Sequence, residues 1–335
     1  MTELRPFGRT GVKISALTLG AMNFGARANP DHDEGVRIIH RALDAGINSI
    51  DTADVYSNGE SEQIVGKALR GRRDDVFLAT KFFGQMGDDR LHSGGSRRWI
   101  MREVEDSLRR LDTDYIDLYQ MHRPDPELRF EESLGALSDL VRQGKIRYIG
   151  TSTFPAWSIV EGQWISERRC LERVVSEQPP YSILVRAIER DVLPVARKYD
   201  MAVIPWSPLA GGYLTDSNVS QRIQRMPQRY DRDLPANAPK VEAVAELRTL
   251  AADAGLTLIH LALGFVLRHP AITSAIIGPR TMEHLESALG ADKVVLSADV
   301  LDRIDEIVPP GTNLNPADAG WHPPSLTDAA QRRRP

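Results

Sequence analysis

The sequence predicts an α/β protein, a (β/α)8 barrel of the TIM type with an N-terminal β-hairpin and long loops at its C-terminal face. Three observations point there. Short apolar runs alternate eight times with segments of helical periodicity. The runs are mostly apolar on both faces and are joined through helices, which makes them parallel. Four of them end on reactive residues, Asp51, Lys81, His122 and Gln178, and closed barrels carry their sites at the C-terminal strand ends. An open doubly wound sheet is the runner-up. Against it, the first strand runs into Gly-Ala-Met-Asn-Phe-Gly, not into a Gly-x-Gly-x-x-Gly turn that opens a helix.

The elements follow in order. Residues 4–14 read as a hairpin turning at Gly8 to Gly11. Strand 16–20 precedes helix 31–45, and strand 47–51 precedes helix 60–70. Strand 76–80 leads to helix 96–110, and strand 115–120 to helix 130–143, which Gly144 stops. Strand 146–150 leads to helix 155–169, and strand 173–177 to helix 186–199. Strand 201–205 opens a polar loop, 210–239, holding Gly211, Gly212, Pro227, Pro235 and Pro239. Helices 240–254 and 257–268, strand 273–277 and helices 281–289 and 297–307 complete the pattern. The expected organisation is one domain over 1–335: the hairpin, a barrel over about 16–308, and a loosely packed, Pro-rich tail over 309–335.

Composition narrows the function. The net charge of −4 over 335 residues argues against nucleic acid as a partner. No run approaches the roughly 18 apolar residues of a membrane span. One cysteine, Cys170, excludes an internal disulfide framework, and no His/Asp/Glu grouping has metal-ligand spacing. The N-terminus lacks an apolar signal core, so a cytoplasmic location is expected.

Asp51, Tyr56, Lys81 and His122 bring a carboxylate, a phenol, an amine and an imidazole to successive strand ends. A phenol titrates near pH ~10, too high for an efficient donor at neutrality. A nearby ammonium favours the phenolate, and a carboxylate can hold that ammonium in place. A neutral imidazole can orient a carbonyl oxygen, so the four together suit protonation of a developing alkoxide. Taken singly, each has an ordinary structural role as a cap, a satisfied core phenol, a rim cation or a core imidazole. Ser152 and Gln178 suit a planar polar group, and Trp206 suits stacking, with core packing as its alternative. Gly278-Pro279-Arg280-Thr281 places an arginine after the last strand, suited to an anion.

Asp51-Thr52-Ala53-Asp54-Val55-Tyr56, Thr80-Lys81, Asp117 to His122 and Trp206-Ser207-Pro208-Leu209 closely resemble the aldo-keto reductases. The resemblance runs from about Leu4 to about Val308. It implies a (β/α)8 barrel that reduces small-molecule aldehydes and ketones with NADPH, NADH being the less favoured cofactor. Residue by residue, it makes Tyr56 the general acid, Lys81 and Asp51 the pair that tunes it, and His122 the carbonyl-orienting group. It places Ser152 and Gln178 on the nicotinamide carboxamide, Trp206 on the nicotinamide ring, and Ser207, Leu209 and Gly211 beside the pyrophosphate. Gly278, Arg280 and His284 fall at the 2′-phosphate and nearby ribose. Thr153, His284 and Ala288 depart from the residues common there.

Ser152 to Ala156 and Glu177 to Ser182 resemble a bacterial, actinomycete-like subgroup that includes deoxysugar-nucleotide reductases. Reduction of an enone or ketone in a deoxysugar nucleotide therefore joins the expected reactions. Potassium-channel β subunits also resemble the family and keep these four residues, so a nicotinamide-sensing regulatory subunit is the alternative from another class. The hairpin starting at Leu4 leaves little N-terminal extension for such a partner. The substrate pocket is expected among Met22, Phe24, Phe82, Phe83, Arg123 and Trp157, where Arg123 either receives an anion or pairs with Asp125. No apolar surface stripe reads as a subunit contact, which leaves oligomeric state unassigned.

Overall fold

The computed structural model describes residues 2–215, 224 and 226–334, so part of the predicted loop 210–239 lies outside the described residues. Eight parallel strands form one curled sheet: β3 (Leu17–Gly20), β4 (Ser49–Asp51), β5 (Phe77–Phe82), β6 (Ile116–Met121), β7 (Ile146–Ser152), β8 (Val174–Gln178), β9 (Ala202–Val203) and β10 (Ala275–Ile277). β10 pairs with β3 at one edge. At the other, Thr273 N donates to Val203 O at 2.9 Å and Ile276 N to Pro205 O at 3.0 Å, which closes the (β/α)8 barrel.

The connecting helices are α1 (His32–Asp44), α2 (Glu60–Leu69), α3 (Arg97–Leu111), α4 (Phe130–Arg142), α5 (Ala156–Arg169) and α6 (Val192–Lys198). Helices Ala238–Asp253 and Leu258–Arg268 precede β10, and Met282–Ala288 and Ala298–Ile307 follow it. Asp31, Ser96, Thr257, Thr281 and Ser297 each accept a backbone N–H in the first turn of a helix, which fixes where those helices start. The single helix expected over 186–199 is instead a short 3-10 turn, Ala187–Glu189, followed by α6. Asp191 separates them, because its carboxylate accepts from Val192 N and starts a new helix.

Strand parity sorts the side chains. Phe77, Ala79, Leu118, Ala202 and Ile204 form a cluster inside the barrel, distinct from the main core outside it. The hairpin β1 (Leu4–Pro6) and β2 (Lys13–Ser15) plugs this cluster from the N-terminal end. Phe7 at its turn is fully buried, with its ring centroid 4.7 Å from that of Phe77. Above the apolar plug the interior turns polar, with Asp51, Lys81, Gln120 and Gln178 all buried.

The tail departs from expectation. Residues 309–320 are anchored: Arg186 N donates to Thr312 O, Ala187 N to Asn313 Oδ1, and Asn315 and Asp318 are buried. Pro-rich composition hid this, because the anchors are isolated polar pairs with no periodicity. A second departure is an exposed stripe of Trp157, Val160 and Trp164 on α5. Among the described residues, no single helix is long and apolar enough to cross a membrane.

Phe7→Ala removes a fully buried ring from the barrel plug, so it is expected to cost about 3 kcal/mol in denaturant unfolding. Because the plug lies at the end opposite the polar layer, kcat of the folded variant should change far less than its stability.

Candidate active site

The centre of the polar layer is a buried ion pair. Lys81 Nζ donates to Asp51 Oδ1 at 2.5 Å, to the Thr52 carbonyl at 2.8 Å and to Tyr56 Oη at 3.3 Å. Burial opposes the Lys81 charge, but Asp51 and then Tyr56 outweigh it, so its pKa rises and it stays an ammonium. Asp51 Oδ2 accepts from Gln120 Nε2 at 3.0 Å and Gln178 Nε2 at 2.8 Å. The carboxylate is therefore held by three strands besides its own. Across the mouth, the His122 ring stands edge-on to Tyr56, with centroids 5.7 Å apart. Burial first, then Lys81 and Arg123, push the His122 pKa well below its ordinary value, leaving a neutral imidazole. The four residues thus meet at one place, and the arrangement can deliver a proton from Tyr56 beside a neutral hydrogen-bond donor.

The loop carrying Tyr56 is held from below. Asp54 N donates to Lys81 O, Asp54 Oδ1 accepts from Val55 N, and Thr52 Oγ1 bonds Ser61 Oγ at 2.9 Å. Thr80, next to Lys81 and facing outward, donates to Glu62 Oε1 at 2.6 Å, and Glu62 and Glu103 both take Arg110. Asp54 beside them has its pKa pushed well up by burial and then by Glu103 and Glu62.

The residues expected at a cofactor divide into two groups. At the strand ends, Ser152 Oγ donates to Gln178 O at 2.9 Å. Trp206 Nε1 donates to Thr153 Oγ1 at 3.3 Å, and the Trp206 backbone bridges to Pro180. Ser207 and Gly211 have left-handed backbones, and Leu209 leads into the turn Ala210–Gly212. Further out, Asn23 Nδ2 donates to Gly278 O at 2.6 Å and Asn29 Nδ2 to Arg280 O at 2.8 Å, which fixes the loop after β10. The His284 pKa is lowered by burial and then by Arg280, its neighbour across the first turn of helix Met282–Ala288.

The expected pocket residues need correction. Phe24 and Phe82 are fully buried in the core and line no cleft. Parity explains Phe82: with Lys81 inward, it must point outward, where it packs on Tyr119 with centroids 4.8 Å apart. Phe24 packs beside Gly35 of α1. Trp157 belongs to the exposed stripe on α5. Met22 is exposed, Phe83 is half-buried with a left-handed φ of 133°, and Arg123 stays near the chemistry. Asp125 does not pair with Arg123; it accepts from Gly95 N and Glu127 N.

Several site residues escaped the sequence reading. Gln120 lies two positions before His122 on β6, so parity alone could have placed it inward. Asn23 and Asn29, and the cluster of Arg229 and Lys240 on Asp318, carry no such signal, because each joins distant segments. Among the described residues, no group of three or more His, Cys, Asp or Glu is placed to hold a metal ion.

Comparison with known proteins finds relatives along most of the chain. A model of the aldo/keto reductase family matches residues 16–309. The uncharacterized oxidoreductase YrpG of Bacillus subtilis is 37% identical over 95% of this chain and 100% of its own length. The aldo-keto reductase YhdN of the same organism is 35% identical over 85% of this chain and 87% of its own. A putative voltage-gated potassium channel subunit beta of Schizosaccharomyces pombe is 32% identical over 91% of this chain and 92% of its own.

Glu177, on β8 beside Gln178, is fully buried, and burial outweighs its bonds from Thr151 Oγ1 and Phe154 N to push its pKa up to about 7 from an ordinary 4.5. A raised carboxyl stabilises the fold fully below the unfolded value, and that contribution is lost as pH rises through the folded value. The melting temperature of wild type relative to Glu177→Gln should therefore fall between pH 4.5 and 7. The swing should approach about 3 kcal/mol and flatten at higher pH.

Proposed function

The chain belongs to the aldo/keto reductase family of oxidoreductases, and from that premise we propose that it reduces a small aldehyde or ketone to an alcohol with NADPH, using Tyr56 as the general acid. The observation that carries the reading is the Asp51–Lys81–Tyr56 chain with neutral His122 facing it. When bound, a reduced nicotinamide supplies the hydride. His122 donates a ring N–H to the carbonyl oxygen and orients it. Tyr56 gives its hydroxyl proton to that oxygen as charge develops, and the Lys81 ammonium stabilises the phenolate left behind. Asp51 does not touch substrate; it fixes Lys81.

The residues present fit such a cofactor. Ser152 and Gln178 offer a hydroxyl and an amide at adjacent strand ends, and Trp206 offers an indole. At the other rim Gly278 is exposed, and an added Cβ there would meet only Asn23 Nδ2, at 3.4 Å, so the backbone is open to close approach. Arg280 supports NADPH over NADH, since a guanidinium matches a 2′-phosphate. The similarity to proteins named as potassium channel β subunits keeps a second reading, a nicotinamide-sensing regulatory subunit. Negligible turnover across a broad carbonyl panel, together with tight NADPH binding, would favour it.

Tyr56→Phe should lower kcat at least a hundredfold with the NADPH dissociation constant held within a few-fold; near-wild-type turnover would remove Tyr56 from its role. Stopped-flow titration should show NADPH quenching tryptophan fluorescence, and less so in Trp206→Phe. Arg280→Met should weaken NADPH binding about tenfold or more and NADH binding little.

A further inference from the structure

Arg123 follows His122 at the end of β6 and is the charge nearest the chemistry that the reaction scheme leaves without a task. Its two hydrogen bonds both leave from Nη1, to the His122 carbonyl at 2.5 Å and to Thr153 Oγ1 at 3.3 Å. Among the described residues, no carboxylate lies within ion-pair distance of it, and Asp125 is committed to Gly95 and Glu127. The carboxyl that acts on it, Glu177, is itself bound by Thr151 and titrates at about 7. Burial lowers the Arg123 pKa, and Arg229 lowers it further. A desolvated guanidinium without a counter-ion is costly, and an anion placed against it offsets that cost.

The surroundings accentuate the imbalance. Arg123 and Arg229 both approach the Trp206 ring, at 6.0 and 5.6 Å from its centroid. Arg229 is matched by Asp318, but Asp318 also takes Lys240. Asp318 is thus divided between Arg229 and Lys240, and Arg123 on the other approach to the indole has only the raised carboxyl of Glu177 acting on it. Nε and Nη2 of Arg123 remain as a fork for a two-oxygen acceptor.

We propose that Arg123 is a specificity-determining residue that receives an anionic group, a carboxylate or phosphate, carried by the substrate next to its carbonyl. The proposal rests on Tyr56 and His122 being the reacting end of the site, and it deepens that reading by naming the substrate class.

The test compares benzaldehyde with 2-, 3- and 4-carboxybenzaldehyde, using wild type, Arg123→Met and Arg123→Lys. Wild type should prefer at least one carboxylated aldehyde about tenfold or more in kcat/KM. Arg123→Met should erase that preference, mainly through KM, and Arg123→Lys should recover part of it, because lysine keeps the charge without the fork. Equal losses on benzaldehyde and on its carboxylated forms would overturn the proposal. So would a large loss of NADPH affinity in Arg123→Met, which would assign Arg123 to the cofactor. Calorimetric binding of benzoate to the NADP-loaded protein reads the site without turnover. Benzoate bound by wild type and lost in Arg123→Met, with no aldehyde reduced, would overturn the reductase reading and leave the anion site standing. Benzoate bound equally by both proteins would overturn the anion site alone.

Discussion

The structure depends on one buried ion pair. Lys81 has no exposure to solvent, and its ammonium is tolerated only because Asp51, the Thr52 carbonyl and the Tyr56 hydroxyl surround it. Removing one partner from such a pair typically costs about 3–5 kcal/mol, since a naked charge is left in a poor solvent. The pair is held in turn by Gln120 and Gln178, so four strands of the sheet, β4, β5, β6 and β8, converge on a single carboxylate. Lys81 is thereby fixed by the barrel itself, and the loop carrying Tyr56 is tied to it through that ammonium. His122 is kept neutral chiefly by burial, and the Lys81 ammonium and Arg123 push its pKa further down. Tyr56 thus lies between an ammonium and a neutral imidazole.

Backbone strain is distributed in the same sense. Among the described residues, Ser57, Asn58, Phe83, Thr153, Ser207 and Ala210 are left-handed without being glycine, and all follow strand ends on the site's face. The others, Asp112, Cys170 and Asp200, end helices on the opposite face, where that conformation is routine. Strain of this kind costs of order 1–3 kcal/mol per residue and persists only where surrounding packing over-determines it. Here it turns Thr153 toward Trp206 and Arg123, whose donors its hydroxyl accepts. A threonine that looks like a departure in sequence thus becomes a junction in the fold.

What the sequence made legible followed from periodicity. Alternating strands and helices gave the barrel, and abrupt strand ends gave Asp51, Lys81 and His122. The failures came where parity was not applied or where no period exists. Counting by two from Lys81 turns Phe82 outward, and counting back by two from His122 turns Gln120 inward. No counting finds the closure between β9 and β10, because β9 has two residues and its bonds run through Val203 and Pro205. The tail was misread for a related reason: Asn315 and Asp318 act through pairings with residues 78 to 89 positions away.

Those long-range pairings decide which part of the site can vary. Asp318 ties Arg229 and Lys240 to the tail, and two residues later Gly320 lies on the indole. A Cβ at Gly320 would come within 2.9 Å of both Trp206 Cζ2 and Thr153 Cγ2, and its φ of +83° suits glycine, so the tail can cross the ring only there. Asp51 and Lys81 sit on paired strands whose register fixes them to within a hydrogen bond. Arg229, Lys240 and the tail beside Trp206 are instead joined by one carboxylate, Asp318. Changes in the tail therefore act on Trp206, Thr153, Arg229 and Lys240, and not on the partners of the Asp51–Lys81 pair. That separation is why the strand ends brought Asp51, Lys81 and His122 into view and the family resemblance named the reaction, whereas the substrate is approached only through a charge, Arg123, that the fold leaves unbalanced.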